Sequence, residues 1–254
     1  MFEVLGDCMS VSNNHVIEGY SLEEQKHRVV AAYDSPKAIS DMRNVLDMST
    51  SWLEPVSEKY KISSNIKDYI FVPVVIFSTN LPNRNGVGFP VEPLLEFNPE
   101  TGCLGYESWK RKCLHVEHDN KDITKSKGTI FDSRIFPMRN AKGNLFKVVL
   151  LTGWDRSKDP VLANQILSGE RTNYSMGSWS SDFTCSVCGS AFSKNQNGCG
   201  HLFVLGKEPP KMQEVNGQLA FWKVTSVLGF ECSSVRVGAY SLFSETPTDR
   251  IFQY

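Results

Sequence analysis

At Asp68 the character of the chain changes. The run Tyr69-Ile70-Phe71-Val72-Pro73-Val74-Val75-Ile76-Phe77 is β-branched and aromatic, and it closes on the turn-forming stretch Asn80-Leu81-Pro82-Asn83-Arg84-Asn85-Gly86. Branched and aromatic side chains fit a pleated surface, so this run reads as a strand. Further strands are expected at Gly128 to Phe136, Leu145 to Thr152, Leu202 to Leu205, Leu219 to Val227 and Val235 to Phe243. One helix is expected among them, Pro160 to Ser168, where Leu162, Ile166 and Ala163 fall on one face. Several strands with few helices restrict the core to a β-barrel or an α+β arrangement. The chain has no internal repeat and no low-complexity tract.

Residues 1–65 differ from the rest of the chain. They are polar and irregular, with helices expected from Ser21 to Ala32 and from Ser35 to Leu53. Each opens on a serine, whose hydroxyl can accept from an unpaired backbone N–H, and Glu24 stands after Ser21 at the spacing of a capping box. No chemistry is legible here, and the expectation is a structural or docking extension to a domain spanning residues 66–254.

A chain of 254 residues with 41% hydrophobic residues can bury a full core in one large domain. Its net charge of −1 supplies no basic stripe, which argues against a general nucleic-acid binder. No apolar run approaches the ~18 residues of a membrane helix. Met1 to Ser10 lacks the basic and apolar regions of an export signal, so a protein made and used in a cytosol is expected. In that setting seven cysteines, an odd number, favour reduced thiols or a metal site over disulfides.

Four residues of metal-binding type are spaced closely enough to share an ion. Cys185-Ser186-Val187-Cys188-Gly189 puts two thiols two residues apart on a tight turn, and Cys199-Gly200-His201 adds a thiol and an imidazole across a polar loop. A set of four ligands closes the tetrahedron zinc prefers and leaves no open position, so the expected zinc is structural. The alternatives are reduced cysteines beside a loop histidine, or a Cys-x-x-Cys redox pair. Cys8, Cys103, Cys113 and Cys232 read as packing residues.

Tyr174-Ser175-Met176-Gly177 offers a serine with the small neighbours of an exposed nucleophile. Serine needs an imidazole to take its proton, and the chain has five histidines. His118, in Glu117-His118-Asp119-Asn120, is one source, and a turn serine with no chemistry is the plain alternative.

Taken in order, these residues resemble the prohead (procapsid) maturation proteases of tailed bacteriophages, distant relatives of the herpesvirus assemblins. The resemblance covers Tyr69 to Phe243. It rests on Pro82-Asn83-Arg84-Asn85-Gly86 with Phe89-Pro90, Glu117-His118-Asp119-Asn120, Gly128-Thr129-Ile130, Asp155-Arg156 before the helix ending at Gly169, Tyr174-Ser175-Met176-Gly177, and Glu231-Cys232-Ser233-Ser234-Val235. The form with a cysteine knuckle is similar to proteases of large myovirus-type phages.

The resemblance implies a mainly β, barrel-like α+β fold with a few flanking helices, interrupted by a Cys/His knuckle insertion at about 182–207. It implies Ser175 as nucleophile and His118 as general base. His115 competes for the base role, although on an alternating strand His115 and His118 would face opposite sides. For the third position phage members use an acid on a later strand, here Glu231. Assemblins use a second histidine, for which His201 is the competitor, and Asp155 and Asp182 stay open. The implied substrates are scaffold and major-capsid-protein precursors inside a viral prohead, with self-cleavage, possible homo-oligomers and no membrane. Two other classes are weighed beside this one: a zinc-knuckle binding module, and a non-enzymatic structural capsid protein on a related fold.

Overall fold

The computed structural model describes residues 2–5, 51–83, 85–137, 145–192, 199–202, 212–236 and 252–253. Its strands are β1 (Phe2–Leu5), β2 (Tyr69–Ser78), β3 (Val87–Gly88), β4 (Phe97–Asn98), β5 (Cys103–Leu104), β6 (Cys113–Val116), β7 (Gly128–Pro137) and β8 (Phe146–Asp155), then β9 (Asn173–Ser180), β10 (Phe183–Cys185), β11 (Ala191–Phe192), β12 (Gln213–Val215), β13 (Gln218–Ala220), β14 (Trp222–Val224), β15 (Leu228–Val235) and β16 (Phe252–Gln253). The α-helices are α1 (Leu53–Tyr60), α2 (Val91–Leu95) and α3 (Pro160–Leu167).

The fold is mainly β with few helices, built on one sheet that curls into a half-barrel. That sheet has eight strands in the order β1-β9-β15-β6-β7-β8-β2-β16. Neighbours run antiparallel except β15 and β6, which are parallel. A smaller sheet, β11-β10-β14-β3, stands beside it.

The apolar run of β2 is explained by burial on both of its faces. Ile70, Val72 and Val74 pack inward with Leu114, Ile130, Leu150, Trp154 and Met176, while Tyr69, Phe71 and Val75 pack on the other face with Phe131, Val149 and Leu151. Leu53 of α1 closes that second layer, and Trp52 sets its ring edge against Phe131 at 5.0 Å between centroids. The end of the segment expected to be an extension is therefore part of the core. Residues 2–5 also join the main sheet, along the edge of β9.

Several expected elements stand where the side-chain pattern puts them: β2, β7, β8 and α3, whose Leu162, Ala163 and Ile166 are buried. Others differ. The strand expected at Leu219 to Val227 is two short strands broken at Phe221, whose N–H leaves the ladder to donate to Ser186 Oγ at 2.9 Å. The strand expected to start at Val235 instead ends there: β15 runs from Leu228 to Val235, and Glu231 to Val235 at its end are all buried. Leu202 lies in a turn, and residues 203–205 and 237–243 fall outside the described residues, as do residues 21–32 and 35–50 of the expected helices. Of the described residues of the second helix, 51–53, Leu53 is helical, and it opens α1.

Candidate active site and Cys/His cluster

Three adjacent strands, β9, β15 and β6, carry the site. Their register aligns Ser175 with Ser233, and Ser233 with His115; one step along, Gly177 aligns with Glu231, and Glu231 with Cys113. Cross-strand partners share a face, so these six positions form two rows on one side of the sheet.

A bulge sets this alignment. Between Gly229 and Glu231 the β15–β9 register shifts by one residue, leaving Phe230 as the extra one. A bulge bends its strand and re-aims the side chains beyond it. Its geometry is fixed by packing: a Cβ on Gly229 would come within 2.2 Å of the Trp109 ring, and the Gly229 N–H donates to Ser108 Oγ at 2.7 Å. The Trp109 indole N–H in turn donates to the Gly177 carbonyl at 3.2 Å.

His118 reaches the rows from outside the strand. β6 ends at Val116, and Glu117 (φ 50°) and His118 (φ 57°) are both left-handed, a conformation that costs a residue with a Cβ roughly 1–2 kcal/mol. Contacts hold the turn in place. Glu117 N–H donates to the Ser234 carbonyl at 3.0 Å, Asp119 N–H to the Val116 carbonyl at 3.0 Å, and the Arg171 guanidinium pairs with Glu117 at 3.3 Å. The expected opposition of His115 and His118 on one alternating strand does not occur, because His118 lies beyond the strand's end.

The turn brings His118 between two other expected residues. Its Nδ1 lies 2.7 Å from Glu231 Oε1, and its Nε2 lies 2.9 Å from Ser175 Oγ. An ionised carboxylate only accepts, so Nδ1 carries the hydrogen and Nε2 is left to accept from the serine hydroxyl. Glu231 is fully buried, Ser175 is 2% exposed and the His118 side chain 15%. Low access to water strengthens each of these contacts. Ser175 is therefore a strand residue in a closed site, whereas its small neighbours point to an exposed turn.

The other expected candidates lie elsewhere. His115 is buried in the row of Ser233 and Ser175, and its Nε2 has no hydrogen-bond partner among the described residues. Burial pushes its imidazole below the ordinary value, against the opposing pull of Glu231. Both Asp155 oxygens are engaged in backbone turns, Oδ1 with Ser157 and Lys158 N–H groups and Oδ2 with that of Ser63. At Asp182 the backbone carbonyl accepts from Ser180 Oγ and Thr225 N–H, far along the chain from the histidine turn.

One residue of the site has no role of its own in the sequence: Ser233. Ser233 Oγ donates to Glu231 Oε2 at 2.6 Å. The i, i+2 spacing of Glu231 and Ser233 on one strand face is the signal that could have shown it.

His201 belongs to a second cluster. One ligand atom from each of Cys185, Cys188, Cys199 and His201 lies within 4.8 Å of all the others. His201 Nδ1 stands 3.6 Å from Cys199 Sγ and 3.8 Å from Cys185 Sγ. A tetrahedral zinc with ordinary bond lengths would separate a sulfur and a nitrogen by about 3.6 Å, so the donor set fits such an ion. The first turn is shaped for it: Val187 N–H donates to Cys185 Sγ at 3.4 Å, and Gly189 takes a φ of 70° that suits glycine. Cys185 is held by β10, whose partner β14 pairs with β3 next to the Asn83 turn; there Asn83 Oδ1 accepts from Asn85 and Val87 N–H groups. The remaining described cysteines are free: Cys113 and Cys232 are buried, Cys103 is half-buried, and Cys8 lies outside the described residues.

No protein-family model matches this chain, and comparison with curated proteins and with solved structures finds no significant match.

Proposed function

We propose that this chain is a serine endopeptidase of the prohead maturation type, on an assemblin-like barrel. The observation that carries the reading is His118 held by Glu231 on one ring nitrogen and facing Ser175 with the other, at 2.7 and 2.9 Å. Those distances lie within the reach expected of a base and its nucleophile.

In the proposed reaction His118 Nε2 takes the Ser175 proton as Oγ attacks a peptide carbonyl carbon. The carbonyl π pair moves to oxygen, giving a tetrahedral oxyanion for backbone N–H groups to receive. When that pair returns, the C–N bond breaks and His118 gives its proton to the departing amine. Water, deprotonated by His118, then releases the acyl group and restores Ser175. Glu231 stays ionised throughout, holding Nδ1–H and stabilising the imidazolium.

The substrates we assign are scaffold and major-capsid precursors enclosed in a viral prohead assembled in a bacterial cytoplasm, together with the protease's own ends. Cys185, Cys188, Cys199 and His201 would hold one zinc, which supplies cross-linking to the 182–207 region and no chemistry at Ser175. The closed donor set also supports a plainer reading, a metal-knuckle binding module. Coexpression with a phage scaffold and capsid precursor separates the two. The protease reading expects new scaffold termini by mass spectrometry with the wild type and none with Ser175→Ala; identical intact scaffold in both would favour the binding module.

A further inference from the structure

Glu231 is a charged side chain with no exposure at all, and two side-chain donors face it. His118 Nδ1 meets Oε1, and Ser233 Oγ meets Oε2 at 2.6 Å. The terminal torsion of a glutamate is broad and roughly two-fold, so a carboxylate with a single partner is free to turn. One with a fixed donor on each oxygen is not.

We propose that Ser233 is a positioning residue: its hydroxyl pins Oε2, which fixes Oε1 on His118 Nδ1 and so holds His118 in the tautomer that leaves Nε2 open to Ser175. The proposal rests on the serine-hydrolase reading for its catalytic consequence alone. Ser233 does not compete as the nucleophile, since its hydroxyl hydrogen is directed to the carboxylate and His118 Nε2 faces Ser175. Its position in the row between Ser175 and His115 keeps it on the face of the site, two residues beyond Glu231 on the same strand.

Removing this hydroxyl leaves a buried carboxylate oxygen without a partner, a costly state the site relieves by turning Oε2 toward the ring or by admitting water. Either change broadens the geometry at Nδ1. Misplacement of a catalytic group by about 1 Å can lower the rate about 100-fold.

The test uses the full chain labelled with 15N at histidine, as wild type, Ser233→Ala and Ser233→Cys, the last keeping the volume with a weak donor. Long-range 1H–15N spectra read the His118 tautomer, and a fluorophosphonate probe reads Ser175 reactivity. We expect the wild type to show the Nδ1–H form alone. Both variants should show mixed tautomers and labelling slowed by between about 10- and 100-fold. Wild-type tautomer and rate in either folded variant would overturn the proposal. A tautomer shift in the variants, with Ser175 unlabelled even in the wild type, would support the positioning role and count against the hydrolase reading.

Discussion

The Glu231 carboxylate occupies the space that a side chain at Gly177 would need. A Cβ built there would lie 2.9 Å from Glu231 Oε1 and 2.4 Å from the Phe230 ring. Gly177 faces Glu231 across the β9–β15 ladder, two residues beyond Ser175, so the glycine opens the floor of the site beside the serine. Gly177→Ala should therefore keep the sheet but push the carboxylate and Phe230 aside, lowering Ser175 reactivity by about 100-fold. The check is the labelling rate alongside the urea midpoint, and an alanine variant with wild-type reactivity would contradict it.

Ser175, His118 and Glu231 should behave as one unit. Ser175→Ala and His118→Ala should each abolish precursor cleavage with the fold intact, and the double variant should be no worse. Glu231→Gln should fold but turn over far more slowly, since an amide cannot stabilise the imidazolium and can favour the wrong tautomer. Circular dichroism and a coexpressed precursor assay read both.

His115 should matter to stability more than to chemistry. Burial lowers its proton affinity in the folded state, so the unfolded chain binds more protons at acid pH. Its stability cost is absent above the unfolded value of about 6.5 and grows as pH falls below it. The charges of Lys158, Asp119 and Asp122 act on it along with that of Glu231, so the isolating measurement is a difference. Urea unfolding at pH 7.5 and 5.5 should show a larger loss for the wild type than for His115→Gln, while His115→Gln keeps substantial activity.

Zinc should bind once per chain and stabilise before it affects chemistry. Elemental analysis of protein purified without chelator should give close to one zinc, and chelation or His201→Ala should lower the unfolding midpoint, since metal binding is coupled to local folding. A metal content near zero would favour reduced cysteines.

Much of the frame is legible in the residues because burial on both faces leaves continuous apolar runs, as in β2 and β8. The strands bearing Ser175 and Glu231 are harder to see. Tyr174-Ser175-Met176-Gly177-Ser178 alternates polar and apolar like a half-buried strand, yet its small residues resemble a turn. Glu231 and His118 take their roles in the sequence account only from what the resemblance implies, and local pattern does not supply their meeting. That depends on a bulge at Phe230 and a left-handed turn at Glu117, each held by residues distant in sequence, Trp109 and Ser234. Ser233 stands in the sequence as one member of Glu231-Cys232-Ser233-Ser234-Val235, and its contact with Glu231 becomes legible only once both fall on one face of β15.

The central claim is that Ser175 is a nucleophile activated by His118. Wild-type protein assembled with the proposed scaffold substrate, treated with a fluorophosphonate probe and digested for mass spectrometry, tests it most directly. The adduct should fall on Ser175, and it should vanish in His118→Ala while that variant remains folded. No adduct on Ser175 in the assembled wild type, or equal labelling with and without His118, would contradict the account.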